Sequence, residues 1–265
     1  MQQALSLLVF TDLDGTLIDH DGYGWHAAKP ALAALSKLEA GVVMASSKTA
    51  PEIIALQTEL GLRQWPAIVE NGAGLLEPNQ ESSEQPARYV ELRAALETLP
   101  KKLRNHFVGF ADMSVQKVAE VTGLPPHAAT LAKTRGFSEP GLWHGSTDEL
   151  SDFLQKLTEL GISAREGGRF LTLSFGKTKA DRMAEITSRY NPRYTVALGD
   201  APNDVEMLQT ADFGVIVANP NREALPPQLG EAEGRIVRTE LAGPEGWNLA
   251  IIKLITRLEL HKGTQ

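Results

Sequence analysis

Residues 5–17 read Leu5-Ser6-Leu7-Leu8-Val9-Phe10-Thr11-Asp12-Leu13-Asp14-Gly15-Thr16-Leu17. A short apolar run bounded by turn residues reads as a buried strand, here 5–10. Two carboxylates, two residues apart, fall where that strand ends. In an open α/β sheet, ligands bind outside the carboxyl ends of the strands. Two acids at such a point form a ready Mg²⁺ site, because that ion takes a few hard oxygen ligands and keeps several waters. An aspartate there is also a candidate nucleophile toward phosphorus. Taken alone, Asp-x-Asp-Gly is equally compatible with a surface turn or part of a calcium loop, so the remainder of the chain has to decide.

Working outward, strands and helices alternate. Pro30 opens a helix through Leu38, and Val42-Val43-Met44-Ala45 is a second buried strand ending at Ser46-Ser47-Lys48-Thr49. Pro51 starts the next helix, where its missing N–H costs little, and Gly61 ends it. Ala67-Ile68-Val69 is a third strand, turned by Glu70-Asn71-Gly72 into a hairpin with Gly74-Leu75-Leu76. Strands alternating with helices at this spacing predict a parallel sheet built from βαβ units. The polar, proline-flanked stretch 78–86 reads as a linker. Beyond it the pattern changes to helices near 89–104, 114–122 and 146–160, with strands near 107–111, 140–144 and 162–174. The alternation returns with a helix from Lys177 to Tyr190, strand Tyr194–Leu198, a helix from Pro202, strand Phe213–Val217 and a last helix, Leu249–Leu260. The expected organisation is a discontinuous sheet domain, 1–83 and 175–265, carrying an inserted α+β segment, 84–174.

Composition narrows the classes available. A chain of 265 residues holds ample material for a buried core. Its 26 Lys+Arg against 33 Asp+Glu give a net charge of −7, the wrong sign for a nucleic-acid partner. With no cysteine, disulfides, zinc–thiolate sites and thiol catalysis are excluded. No apolar run approaches the ~18 residues of a membrane helix, and the N-terminus lacks the basic region of a secretory signal. The expectation is a cytoplasmic protein, monomeric or homodimeric, that acts on a small molecule. The six histidines show no metal-ligand spacing. Gly22-Tyr23-Gly24-Trp25-His26-Ala27 has the letters of a dinucleotide fingerprint, but no strand directly precedes it.

Four strand or helix ends carry reactive groups: Asp12-x-Asp14, Ser46, Lys177, and Gly199-Asp200-Ala201-Pro202-Asn203-Asp204. Phosphoryl transfer calls for an in-line nucleophile, charge neutralisation of the equatorial oxygens, and cationic and hydrogen-bonding clamps. Singly, each has a plain structural reading. Ser46 can cap the helix near Pro51, Lys177 beside Lys179 can be an exposed helix face, and Asp200 or Asp204 can be an N-cap. Four independent caps, ordered along the chain and each at a strand or helix end, explain the arrangement poorly.

Asp12-x-Asp14-Gly15-Thr16, Ser46, Lys177 and Gly199-Asp200-x-x-Asn203-Asp204 resemble the four ordered motifs of haloacid-dehalogenase-type phosphatases. The insertion between the second and third motifs is similar to the C2-type cap of the Cof-like subgroup. The resemblance implies an α/β fold: a Rossmann-like parallel-sheet core with an inserted α+β cap. It also implies an Mg²⁺ cofactor and a phosphorylated small-molecule substrate. In that reading Asp12 is the nucleophile, and Asp14 the acid–base and a metal ligand through its main-chain carbonyl. Asp200 and Asp204 complete the metal shell, Ser46 and Lys177 clamp the phosphate, and the backbone N–H groups of Leu13 and Asp14 cradle its oxygens.

Shorter pieces, Ser46-Ser47-Lys48-Thr49, Glu70-Asn71-Gly72-Ala73, Gly168-Arg169-Phe170, Gly176-Lys177 and Gly243-Pro244-Glu245-Gly246-Trp247, resemble the mannosyl-3-phosphoglycerate phosphatase family. That branch implies a phosphorylated sugar–glycerate substrate, with Ser47, Lys48, Glu70, Asn71, Arg169 and Asn203 as substrate-binding candidates. A guanidinium matches a glycerate carboxylate bidentately, which points to Arg169, although a strand-edge surface arginine is the equal alternative. Asn71-Gly72 is also a hairpin turn signal on its own. Trp143 is either a sugar-stacking ring or core packing. Within the same chemistry, a glucosyl-3-phosphoglycerate phosphatase or a sugar phosphomutase stays open.

Overall fold

A computed structural model describes residues 5–19, 24–81, 86–167 and 169–260. The first sheet is entered by β1 (Leu7–Thr11), α1 (Lys29–Lys37), β2 (Gly41–Ala45), α2 (Ala50–Leu60), β3 (Ala67–Val69) and β4 (Gly74–Leu76). The chain then forms α3 (Ala87–Glu97), α4 (Lys101–Arg104), β5 (Phe107–Gly109), α5 (Val115–Thr122) and α6 (Pro126–Lys133). β6 (Ser138–Trp143), α7 (Thr147–Glu159), β7 (Ser163–Gly167) and β8 (Phe170–Ser174) follow. It returns through α8 (Lys179–Tyr190), β9 (Tyr194–Gly199), α9 (Val205–Thr210), β10 (Phe213–Ala218), β11 (Ile236–Ala242) and α10 (Gly243–Arg257).

Seven strands form one sheet in the order β11-β10-β9-β1-β2-β3-β4, and four form a second in the order β5-β6-β8-β7. In the first, only β4 runs antiparallel, closing the hairpin with β3. The second is wholly antiparallel, and all its strands lie between residues 107 and 174. The fold is therefore α/β, with a mixed, mainly parallel sheet at its core.

β1 is central and buried along its whole length, so its side chains feed both faces, as the pleat requires. Leu7 and Val9 pack with Leu35, Ile53, Trp247, Ile251 and Leu254 on the face of α1, α2 and α10. Leu8 and Phe10 pack with Met183, Ile186, Met207 and Leu208 on the face of α8 and α9. This double coverage fixes the end of β1 rigidly between β2 and β9, and Asp12 N–H extends the ladder by donating to Leu198 O at 2.9 Å.

Several elements differ from expectation for local reasons. The helix expected over 89–104 breaks into α3 and α4 at Pro100, which cannot donate a helical bond. The strand expected over 162–174 is the hairpin β7–β8. α6, which opens on Pro126, and the exposed edge strand β11 were not anticipated. α10 begins at Gly243 instead of Leu249, with Pro244 in its first turn. α8 begins at Lys179, because Thr178 and Asp181 form a reciprocal capping box: Thr178 N–H donates to Asp181 Oδ2 at 2.8 Å and Asp181 N–H to Thr178 Oγ1 at 3.1 Å. The boundary expected at 83–84 and Gly168 lie outside the described residues, as do Gly22 and Tyr23 of the dinucleotide-like stretch.

Candidate active site

At the carboxyl ends of β1 and β9, Asp12, Asp200 and Asp204 each offer a carboxylate oxygen, and these oxygens lie within 4.8 Å of one another. All three residues are buried. Gly15 makes the turn after β1 possible with φ +83°, a region open to glycine, and any side chain there would strike Asn219.

The lysine in this cluster is Lys179. Its ammonium lies 2.6 Å from Asp12 Oδ1 and 2.7 Å from Asp204 Oδ1, and the residue is 2% exposed. Lys177, the sequence candidate, is exposed to solvent. The capping box explains the difference. Lys177 precedes the N-cap and faces outward, whereas Lys179 is the first residue of the helix and faces the sheet. Thr178-x-x-Asp181 was a legible capping-box signal that would have set this register.

Lys179 answers Asp12 and Asp204, and the exposed Arg222 answers Asp200, so three buried acids face two cations and leave negative charge in excess. Burial pushes the Asp12 carboxyl up to about 8; Lys179 opposes this, while Asp204 and Asp200 add to it. Burial also raises Asp200, against the pull of Asn219 and Arg222. Burial alone would lower Lys179, but Asp12 and Asp204 outweigh it and hold the ammonium above its usual range. A divalent cation would offset the charge that Lys179 and Arg222 leave uncompensated. A set of hard carboxylate oxygens suits Mg²⁺, so the residues present fit that ion.

The oxygens are already oriented. Asp200 Oδ1 accepts from Thr16 Oγ1 at 3.2 Å, and Oδ2 accepts from Asn219 Nδ2 at 2.7 Å with Arg222 Nε at 3.2 Å. Asp204 Oδ2 accepts from the N–H groups of Asp200 and Ala201 at 3.2 and 3.1 Å. Thr16 was quoted in the first motif without a role, and Asn219 and Arg222 were missed in the sequence. Asn219-Pro220, directly after the β10 strand pattern, was the available turn signal for a further strand end. Trp247 was quoted only through a short motif; it is fully buried, and its Nε1 donates to Thr11 Oγ1 at 3.0 Å, which donates to Asp12 O at 2.7 Å.

Asp14 stands apart from the three-acid group. Its Oδ2 pairs with Lys48 Nζ at 2.9 Å, and its Oδ1 is buried with no hydrogen-bond partner among the described residues. Ser46 is buried, its Oγ accepting from Lys48 N at 3.2 Å. Leu13 is buried and Ser47 exposed. Asn71 Oδ1 accepts from Asn203 Nδ2 at 3.1 Å, linking two of the substrate candidates to each other.

Three candidates sit elsewhere. Glu70 is buried with both carboxylate oxygens taken up by residues 135–138, so it is not placed to bind substrate. Arg169 is an exposed residue at the β7–β8 turn, its guanidinium 6.0 Å from the Phe170 ring centroid. Trp143 packs on Phe153 at 4.8 Å within the core of the second sheet.

Residues 7–212 match the family model for haloacid dehalogenase-like hydrolases, and the chain belongs to that family. Solved structures with the same fold include Thermoplasma acidophilum 0175, with a TM-score of 0.65 at 17% identity over 98% of this chain and 100% of that one. The sucrose-phosphatase of Synechocystis sp. PCC6803, solved with sucrose and phosphate, aligns with a TM-score of 0.60 at 16% identity, over 96% and 98% of the two chains. The subclass IIB sugar phosphatase BT4131 aligns with a TM-score of 0.61 at 17% identity, over 97% and 100%. No helix among the described residues is long and apolar enough to cross a membrane.

Proposed function

We propose that this hydrolase is a Mg²⁺-dependent phosphomonoesterase that works through an aspartyl-phosphate on Asp12. The observation that carries the reading is Asp12 itself. It is buried at the end of the central strand, held at 2.6 Å by Lys179, with Asp200 and Asp204 beside it. Asp12 Oδ attacks phosphorus and the ester oxygen leaves. Asp14, whose Oδ1 has no other partner among the described residues, gives that oxygen a proton. Asp14 then takes a proton from the water that hydrolyses the acyl phosphate. Lys179 takes the phosphate-clamping role first assigned to Lys177, holding Asp12 in place and offsetting charge on the phosphoryl oxygens, with Ser46 and Lys48 on the other side. Mg²⁺, held by Asp12, Asp200 and Asp204 and the Asp14 carbonyl, would neutralise the developing negative charge.

The substrate is proposed to be mannosyl-3-phosphoglycerate, released as mannosylglycerate and phosphate. Segment 84–174 would serve as the cap that selects the leaving group. The Ser46–Thr49, Glu70–Ala73 and Gly243–Trp247 motifs support this narrower reading, as does the shared fold with a sucrose-phosphatase. Purified protein incubated with mannosyl- and glucosyl-3-phosphoglycerate and a set of sugar phosphates should release phosphate from the first, and EDTA should stop it. Equal rates across the set would defeat the narrow assignment. Isomer interconversion without phosphate release would make the enzyme a mutase. Full turnover in Asp12→Asn would overturn the mechanism.

A further inference from the structure

Glu70 lies in the turn that leaves β3, and its side chain has a destination that neither the metal cluster nor the phosphate site accounts for. Glu70 and Asn71 both adopt the left-handed conformation, with φ +52° and +58°. Two successive non-glycine residues in that region persist only where their surroundings hold them there. The surroundings are main-chain carbonyls of the loop after β2. Asn71 N–H donates to Ser46 O at 2.9 Å and Glu70 N–H to Lys48 O at 3.0 Å. The carbonyl between them, Ser47 O, accepts from Arg135 Nη1 at 3.4 Å. The three consecutive carbonyls of the loop that carries Ser46 and Lys48 are thus bound by Asn71, Arg135 and Glu70.

The carboxylate of Glu70 points the other way. Oε1 accepts from Gly136 N at 2.7 Å; Oε2 accepts from Phe137 N at 3.1 Å and from Ser138 N and Oγ, each at 2.7 Å. Arg135 Nη2 lies 3.3 Å from Oε2 and donates to Ser138 Oγ at 2.7 Å. Ser138 is the first residue of β6, an interior strand of the second sheet. Glu70, Arg135 and Ser138 are all buried. Charge-assisted bonds of this kind are short, directional and strong. One residue therefore grips the loop after β2 with its backbone and the start of a second-sheet strand with its side chain.

We propose that Glu70 is a positioning residue that couples the placement of the second sheet to the geometry of the Ser46–Lys48 loop, with Arg135 as its partner. A shift of residues 135–138 is transmitted through the turn at 70–71 to the carbonyls of Ser46, Ser47 and Lys48. It thereby reaches the hydroxyl and ammonium assigned to the phosphate. The inference rests on the phosphatase reading for the role of that loop, but the coupling itself is a property of the fold.

The test compares wild type with Glu70→Gln, Glu70→Asp and Arg135→Met. In Glu70→Gln an amide N–H₂ replaces one acceptor and faces main-chain donors. Hydrogen exchange followed by mass spectrometry should show faster exchange at 136–138 and also at the amides of Lys48, Glu70 and Asn71. Faster exchange confined to 136–138 would overturn the proposal. In parallel, the inhibition constant of inorganic phosphate and the KM for p-nitrophenyl phosphate should each rise about tenfold in Glu70→Gln, with half-saturation by Mg²⁺ unchanged. If the clamp only adds stability, Glu70→Gln would lower the melting temperature and leave both constants where they were. Glu70→Asp keeps the charge and should recover part of the loss. If Glu70→Gln does not fold, Arg135→Met removes the grip on Ser47 O together with the guanidinium's contacts to Glu70 and Ser138, leaves the Glu70 carboxylate and the main-chain bonds of residues 70 and 71 in place, and should raise both constants about threefold. Wild-type values there would count against the coupling. A wild type that neither hydrolyses the ester nor binds phosphate would remove the phosphatase reading, and the exchange pattern would still decide the coupling.

Discussion

Lys177 and Lys179 are two residues apart, and replacing each with Met should give opposite results. Lys179 Nζ sits 2.6 and 2.7 Å from carboxylate oxygens of Asp12 and Asp204. At an effective dielectric constant of ~20, each such pair attracts by about 6 kcal/mol before desolvation is counted. Burying the ammonium offsets much of that. Removing one partner still costs roughly 3–5 kcal/mol, because the acids left behind are buried without a counter-charge. For a chain of this size that corresponds to a fall of roughly 10 °C in melting temperature. Saturating Mg²⁺ should restore part of it, since a cation among Asp12, Asp200 and Asp204 replaces some of the lost compensation. Phosphate release by Lys179→Met should fall below detection in a continuous assay, even at temperatures where the variant is folded. Lys177→Met removes an exposed charge and should change stability by no more than about 0.5 kcal/mol, with turnover near wild type. Differential scanning fluorimetry with and without Mg²⁺, beside the phosphate assay, reads both. A dead Lys177→Met beside an active Lys179→Met would refute the reasoning about helix register.

Stability should also report the charge balance of the cluster. In EDTA burial should keep a proton on Asp12 up to about pH 8, whereas the unfolded chain loses it near the ordinary carboxylate value of 3.8. The folded state is thus the one that binds more protons in this window. Unfolding free energy should fall as pH rises between those values, by about 1.4 kcal/mol per pH unit from this group. Urea titrations at pH 6 and pH 8 test it, and saturating Mg²⁺ should flatten the slope; a slope unaffected by the metal would count against the cluster as its origin. Gly72 has φ +98°, and a methyl group there would overlap the main chain of Thr178. Gly72→Ala should therefore push the start of α8 away, costing at least ~2 kcal/mol in stability and lowering turnover through Lys179; wild-type values for both would show that the contact is dispensable.

The central strand, the acids at its end and the second and third strands were legible because a buried strand is a continuous apolar run, and the first such run stops abruptly at Asp12. The α/β class followed from the alternation. Lys179 was not read because two lysines flank a threonine, and periodicity cannot choose between neighbours; only the cap geometry of Thr178 and Asp181 does. Glu70 was read by its proximity to a strand end, but a carboxylate's direction depends on donors that lie 66 to 68 residues further along the chain. β11 escaped because an edge strand exposed along most of its length has no apolar alternation to detect. Arg169 and Trp143 carried the right chemistry for a sugar acid, yet exposure and packing are tertiary properties. Between 84 and 174 the larger departures fall at prolines: Pro100 breaks one expected helix and Pro126 opens one that was not anticipated.

Trp247 and β9 have a bearing on how the chain is made. β1 is synthesised before the other described strands, yet one of its two ladder partners spans 194–199, and the indole that fastens Thr11 comes at 247. Until those segments are synthesised, this fully buried strand has an open flank, a state prone to mispairing. Its assembly depends on contacts far apart in the chain, which slows folding. Nascent chains halted after residue 190 should be cut readily by protease near residue 12, and those from which residue 247 and its helix have emerged should resist. The surroundings of the proposed nucleophile are then complete only once residue 247 has been synthesised, so a product truncated before it carries Asp12 without the contacts that fix it in place.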